Sequence, residues 1–322
     1  MKRSRWQQIS SRYPFLFSLI VFVVAILINL FFQPDMFARE TLNGNMRVFL
    51  PLILVAVGQA VVIIAGGIDI SVGAIVSIVN ALLATRVGLD APSDQVALYI
   101  GAALLVGVLA GAINGFFIAY LRLQPIITTY ATSFLFAGVA LWILPQPGGG
   151  IPAGVSNFYR TTTPLGLPLA FYIFPVLILA WVFLRSTRYG RYLFAVGGKA
   201  QAAYETAVPV DLVRFSTYVI SGFMAALGGI AITMLAGSGN ARIGDPLTLS
   251  SVTAVVIGGT SMSGGVGGVT GAIIGSITLG VIQNIISFAN IDTWWRTFVN
   301  AFIIVMALAM PGILNLLRGR RS

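Results

Sequence analysis

The chain has no cysteine and no histidine among its 322 residues. The first absence excludes disulfides and thiolate metal sites. The second removes the commonest metal ligand and the side chain that usually carries protons near neutral pH. Charge is scarce too: Asp, Glu, Lys and Arg make up 9% of the residues, against 57% hydrophobic. A soluble domain of this length cannot cover its surface with so little charge, so the composition is that of a polytopic membrane protein in a lipid bilayer, built from α-helices. Apolar runs recur along the whole chain, and residues 1–322 read as one transmembrane domain. The net charge of +10 does not point to nucleic acid here, because basic residues set membrane topology. No catalytic residue, metal or cofactor is expected.

At about 20 residues per span, the apolar runs predict ten helices. They lie near 15–32, 48–65, 70–86, 96–120, 126–144, 170–184, 211–235, 249–258, 266–289 and 297–317, the eighth a short half-helix. The basic residues 2, 3, 5 and 12 followed by an apolar run resemble a signal peptide, but the run is long and Gln33-Pro34-Asp35 is no small-residue cleavage site. The first run therefore reads as an uncleaved span, with 1–14 in the cytoplasm. This topology places Arg122, Arg185, Arg188, Arg191, Lys199, Arg214 and both basic termini inside, thirteen of the nineteen basic residues. Arg39, Arg47, Arg86, Arg160, Arg242 and Arg296 fall outside, and the positive-inside rule holds. The connection 145–168 and the polar segment 240–246 are then outer; the former suits either an external partner or a lid.

One stretch organises the rest. Gly66-Gly67-Ile68-Asp69-Ile70-Ser71-Val72-Gly73 sets a carboxylate between two uncharged apolar runs, where it must be buried, solvated or at a membrane edge. Asp69 and Ser71 can bond the amides that a glycine turn frees. A second glycine pair, Gly258-Gly259, followed by Thr260 and Ser261, ends another span. Asn114, Gln283 and Asn284 are the polar residues of otherwise apolar helices; they suit either a solute path or interhelical bonding. The segment 185–210 is the one soluble-looking interior loop. It carries Arg188, Tyr189, Gly190 and Arg191, then Ala195, a Gly197-Gly198 break, and helix formers including Ala202 and Ala203. It reads either as a basic topogenic loop or as a short helix that a partner could push.

Four segments together resemble the permease subunits of bacterial ABC importers for monosaccharides, the ribose/xylose-type branch. Residues 187–203 are similar to T-x-Y/F-G-R-x-x-Y/F-A-V-G-x-N-x-x-A-A. Residues 66–73 are close to G-G-I-D-L-S-V-G. Gly111 to Gly115 matches G-x-x-N-G, and Ala254 to Gly265 resembles A-x-V-I-G-G-T-S-L-x-G-G. The departures are Lys199 for the usual Asn, Thr206-Ala207-Val208 for Ser-Gly-Ile, Thr129-Tyr130-Ala131 for Thr-Leu-Gly, and Pro246-Leu247 for Glu-Leu. The resemblance implies cytoplasmic ATPase subunits docking on 185–205, a second permease copy or a homologous permease, and a periplasmic substrate-binding protein at the rims near 145–168 and 236–248. No G-x-x-x-x-G-K-[ST] is present, so ATP hydrolysis belongs to another chain. With the charge count, Asp69 is expected at the cytoplasmic end of the second span. There, with Gly66, Gly67, Gly258 and Gly259, it would fix a paired bend and gate.

Overall fold

The computed structural model describes residues 15–289 and, beyond them, Trp295, Phe298, Ala301, Phe302 and Val305. Eleven α-helices form within 15–289: α1 Phe15–Phe32, α2 Arg39–Ile64, α3 Val72–Arg86, α4 Ser93–Ala119, α5 Pro125–Ile143, α6 Ala153–Thr161, α7 Leu169–Ser186, α8 Arg188–Glu205, α9 Val210–Ala236, α10 Asp245–Ile257 and α11 Val269–Phe288. Helices α2, α4, α5, α7, α9 and α11 are long and apolar enough to cross a membrane. Of the ten expected spanning helices these are six; α1, α3 and α10 are shorter apolar helices, and the span expected at 297–317 lies outside the described residues apart from four positions.

Helix α9 is the central element, packed along α4, α2 and α3. Its approach to α4 depends on small residues, since a Cβ on Gly107 would meet the Gly222 carbonyl and one on Gly111 would meet the Tyr218 carbonyl. Lipid tails supply no hydrophobic drive between helices, so close backbone packing has to hold the pair. The bundle has two polar ends. One carries α8 together with Arg122, Gln124 and Arg214. The other carries α6, where Arg39 Nε donates to Gly166 O (3.0 Å), Tyr159 donates to Arg47 O (2.8 Å) and Arg160 Nε donates to Leu235 O (2.8 Å). The connection 145–168 is therefore a folded cap with its own helix.

The short helices α3 and α10 are half-helices that meet inside the bundle. After Ala236 the chain does not cross back as a helix. Residues 237–244 run down the side of α3 as bends and turns: Gly239 lies against Ala84, whose carbonyl accepts from Gly150 N (2.9 Å), Asn240 N donates to Asn80 Oδ1 (2.7 Å), and Gly244 N donates to Ser77 Oγ (3.0 Å). Gly244 then packs on the Gly73 carbonyl, eleven residues or about 16 Å below Ala84. Helix α10 starts there and needs about 18 Å to reach the α8 end. The segment 240–246 is thus not the outer loop its polarity suggested, and of 236–248 only the start stays at the α6 end, where Gly239 pairs with Gly148. Unwound backbone at this depth must find partners in the protein, and buried Asn80 and Ser77 supply them, Asn80 Nδ2 donating also to Ser238 O (3.1 Å) and to Thr233 Oγ1 (2.9 Å). Each half-helix together with its non-helical stretch makes one passage, so the alternation of ends is preserved among the described residues.

Candidate functional site

The two glycine repeats form the same turn. Helix α2 ends with Gly66 at φ 84°, Gly66 N bonding Ile63 O (2.9 Å) and Gly67 N bonding Val62 O (3.0 Å). Helix α10 ends with Gly259 at φ 83°, Gly259 N bonding Val256 O (2.9 Å) and Thr260 N bonding Val255 O (3.2 Å). This crossed pair of bonds around a left-handed residue is a Schellman cap, which glycine adopts without a Cβ penalty. The equivalent residues are Gly66 and Gly259, one place later in the second repeat than the Gly-Gly spacing suggested. Thr260 and Ser261 close the loop after it: Gly268 N donates to Thr260 Oγ1 (3.4 Å), and Ser261 N to Val266 O (3.0 Å).

Both turns converge on α8. This helix is capped by Thr187, whose hydroxyl accepts from Gly190 N (3.3 Å), and it breaks at Lys199 (φ −157°, ψ 94°), just after the Gly197-Gly198 pair. Gly197 sits directly on the Ile64 carbonyl, and that same oxygen accepts a bond from Gly265 N (2.9 Å). Cβ atoms at Gly264 would lie 2.6 Å from Gly197 O and 2.9 Å from Gly66 Cα. The three glycine motifs of the sequence therefore form one backbone junction.

The expected docking residues on α8 divide by exposure. Tyr189 is half-buried, and Gly190, Gly197 and Ala203 are buried. Tyr189 shares a 2.7 Å hydroxyl bond with Ser216 of α9, and burial raises its phenol above the ordinary tyrosine value. Arg188, Arg191, Ala195, Gly198 and Ala202 face outward, beside exposed Lys199, Gln201, Tyr204 and Glu205. One side of α8 is fastened to the bundle and the other is free.

Asp69 is not at the rim. From Gly67 the chain turns back up beside α2. The carboxylate is fully buried and accepts from Ser71 N (3.0 Å) and Ser71 Oγ (2.7 Å) at one oxygen, and from Ser221 Oγ of α9 (2.8 Å) at the other. Asn114 Nδ2 of α4 donates to Ser71 Oγ (2.7 Å), and Thr132 Oγ1 of α5 donates to Asn114 Oδ1 (2.6 Å). The donors point one way, from α5 through α4 to the carboxylate at the end of the chain. Gln59, with its amide set to suit its surroundings, pairs with both backbone groups of Asp69 (3.1 and 3.3 Å). Thr129 Oγ1 accepts from Ile70 N (3.1 Å). The geometry brings Asp69, Ser71 and Asn114 into one hydrogen-bonded chain. It adds Gln59, Ser221, Thr129 and Thr132, which the sequence reading passed over. A signal for Gln59 existed: it is the lone amide in the apolar stretch 48–64 of α2.

Asn284 stands apart from this network on α11, half-buried, with its Nδ2 unpartnered; Gln283 is exposed. A cavity of about 600 Å³ opens at the α8 end between Gly66, Gly67, Arg122, Gln201, Asp211 and Arg214. The hydroxyl of Tyr218 projects over Gly67 on its wall. The Asp69 network lies behind that wall and does not reach the cavity. At the α6 end, Arg39, Arg47 and Arg160 with Glu40 line a second opening of about 540 Å³.

Residues 41–308 match the family described as branched-chain amino acid transport system / permease component. The ribose import permease protein RbsC of Haemophilus influenzae is 30% identical over 305 residues, covering 92% of this chain and 93% of the relative. The galactose/methyl galactoside import permease protein MglC of Escherichia coli is 29% identical over 311 residues, covering 91% and 93%. The autoinducer 2 import system permease protein LsrD of Photorhabdus temperata is 30% identical over 309 residues, covering 93% and 92%. No solved structure matches the chain.

Proposed function

The chain belongs to the family of branched-chain amino acid transport system permease components, and on that premise we propose that it is the membrane permease of an ATP-driven importer for a monosaccharide or a related polar solute. Relatives named as ribose and galactose permeases align over nine-tenths of the chain, which favours sugars over the amino acids in the family description.

The observation that carries the coupling part of the reading is the two-sided α8. Its outward residues Arg188, Arg191, Ala195, Gly198 and Ala202 offer a surface to cytoplasmic ATPase subunits. Its buried glycines bear directly on the caps of α2 and α10, so a push on α8 reaches both turns without passing through flexible side chains. Gly66, Gly67, Gly258 and Gly259 are then the hinge of an inner gate, with Thr260 and Ser261 holding the second turn closed. Asp69, Ser71 and Asn114 lock the helices around the gate rather than hold solute. Asn284, outside the network, is left as a residue of the path.

The α8 end is assigned to the cytoplasm, with both termini. Arg122, Arg185, Arg188, Arg191, Lys199 and Arg214 cluster there, in keeping with the positive-inside rule. This is an inner-membrane protein working with a second copy of itself or a homologous permease. The arginine-lined opening at the α6 end, with the 145–168 cap, suits a periplasmic substrate-binding protein. Of the segment 236–248, residues 240–246 no longer belong to that surface, while Gly239 stays paired with Gly148 of the cap.

An ion-coupled carrier needs ionisable groups at depth, and Asp69, Arg242 and Asp245 would meet that need. Family membership argues against it instead. The test is uptake by the complete complex, permease with ATPase and binding protein, in proteoliposomes. ATP-dependent uptake of labelled ribose or galactose is the expected result. Uptake of leucine but not sugars would overturn the solute assignment, and uptake without ATP on an ion gradient would overturn the importer reading.

A further inference from the structure

We infer that Arg242 and Asp245 line the route of the solute about halfway across the membrane, and are the charged groups that select what passes. This rests on the transporter reading above but on separate observations. The first is depth. Asn240 is held by Asn80 and Gly244 by Ser77 and Gly73, so residues 240–244 run beside α3 from Asn80 down to Gly73 and end well below its outer end. The second is sidedness. Ala241 and Gly244 are buried against α3, whereas Arg242, Asp245, Pro246 and Leu249 are exposed on the opposite side.

Lipid is a poor neighbour for that exposed side. Charged side chains at membrane depth face a bundle interior or a water-filled cavity, and non-helical backbone at that depth is found only where protein or water covers it. The chain spends very little charge elsewhere in its apolar helices, so an Arg and an Asp three residues apart are not surface decoration. The carboxylate also sits in the first turn of α10. A cation and an anion side by side leave no net charge. They can donate to and accept from successive hydroxyls of an uncharged polyol, and a charged solute would always meet one repulsive partner.

The absence of cysteine makes the test direct. Arg242→Cys, Asp245→Cys and, as a lipid-facing control, Leu105→Cys are introduced singly into the complete complex in proteoliposomes. Each is treated with a charged methanethiosulfonate and, separately, with an apolar maleimide. The charged reagent is expected to modify positions 242 and 245 at least tenfold faster than 105, and modification at 245 to abolish uptake without releasing the ATPase. Modification of 242 and 245 by the apolar reagent alone would put them against lipid and overturn the inference. So would ready disulfide formation between copies at 245 with no access for the charged reagent, which would make the face an interface. ATP-driven uptake by the unsubstituted complex is measured in parallel. Its absence would count against the transporter reading and leave the accessibility result to stand by itself. Should either cysteine variant fail to assemble, Arg242→Lys and Asp245→Asn replace it. Uptake within twofold of the parent in both would overturn the proposal.

Discussion

Gly197 and Ile64 touch through backbone alone: the Cα of one stands on the carbonyl oxygen of the other, and Gly265 N bonds that oxygen from the far side. Any side chain at 197 would have to displace the end of α2. At the adjacent Gly198 a Cβ would meet nothing within 4 Å. Gly197→Ala is therefore expected to lower stability by about 1–3 kcal/mol, the usual cost of overpacking, and to reduce ATP-driven uptake severalfold. Gly198→Ala should leave both near the parent values. Thermal unfolding in detergent and uptake measured side by side check the pair; equal tolerance of the two would remove the junction from the coupling route.

The Asp69 carboxylate joins the α2–α3 turn to α9 through Ser221. Asp69→Ala and Ser221→Ala each remove that bond, so the two effects should not add. A double-mutant cycle on thermal stability should give a coupling energy of about 0.5–3 kcal/mol, as residues in one hydrogen-bond network do. Additive losses would mean that the contact contributes nothing measurable.

Asn80 serves three groups at once, two of them backbone groups of the unwound segment. Asn80→Leu removes every one of these bonds, and a buried group left unsatisfied costs about 1–3 kcal/mol. The expected outcome is a complex that assembles poorly or unfolds well below the parent temperature. Thr233→Val takes away only one of the partners and should be milder. If Asn80→Leu unfolds at the parent temperature, the non-helical stretch 237–244 has another source of support.

Arg191 is exposed, and its side-chain bond is a local one to Ser186 O (3.2 Å). Arg191→Glu should change stability by no more than about 0.5 kcal/mol, as surface substitutions do, yet reverse the charge offered to the ATPase. Copurification of the ATPase and uptake should both fall, while the permease itself is recovered in normal yield. Undiminished copurification and uptake would leave α8 as a topogenic loop only.

Much of the fold was legible because the lipid solvent writes itself into composition. The runs around α2, α4, α5, α7, α9 and α11 had to be helices, since nothing else satisfies backbone groups in hydrocarbon. The Gly-Gly pairs marked helix ends for an equally local reason, the left-handed residue of a Schellman cap. Asp69, Ser71 and Asn114 were recognisable as polar residues out of place. Their partners Ser221 and Thr132 were not, because a hydroxyl on an apolar helix is ordinarily satisfied by its own backbone, and only a neighbour across the bundle reveals otherwise.

The sequence by itself determined the class of the molecule, the alternation of its ends and the residues whose chemistry is unusual, because burial in lipid acts on each helix separately. Depth and contact were decided only by the tertiary structure. Charge count and span length treated Asp69 as a rim residue and 240–246 as an outer loop, since a linear rule assumes that each span runs from one face to the other. The half-helices α3 and α10 break that assumption. The non-helical stretches before them can fold back into the bundle because Gln59 of α2 and Ser77 and Asn80 of α3 bond their backbone there.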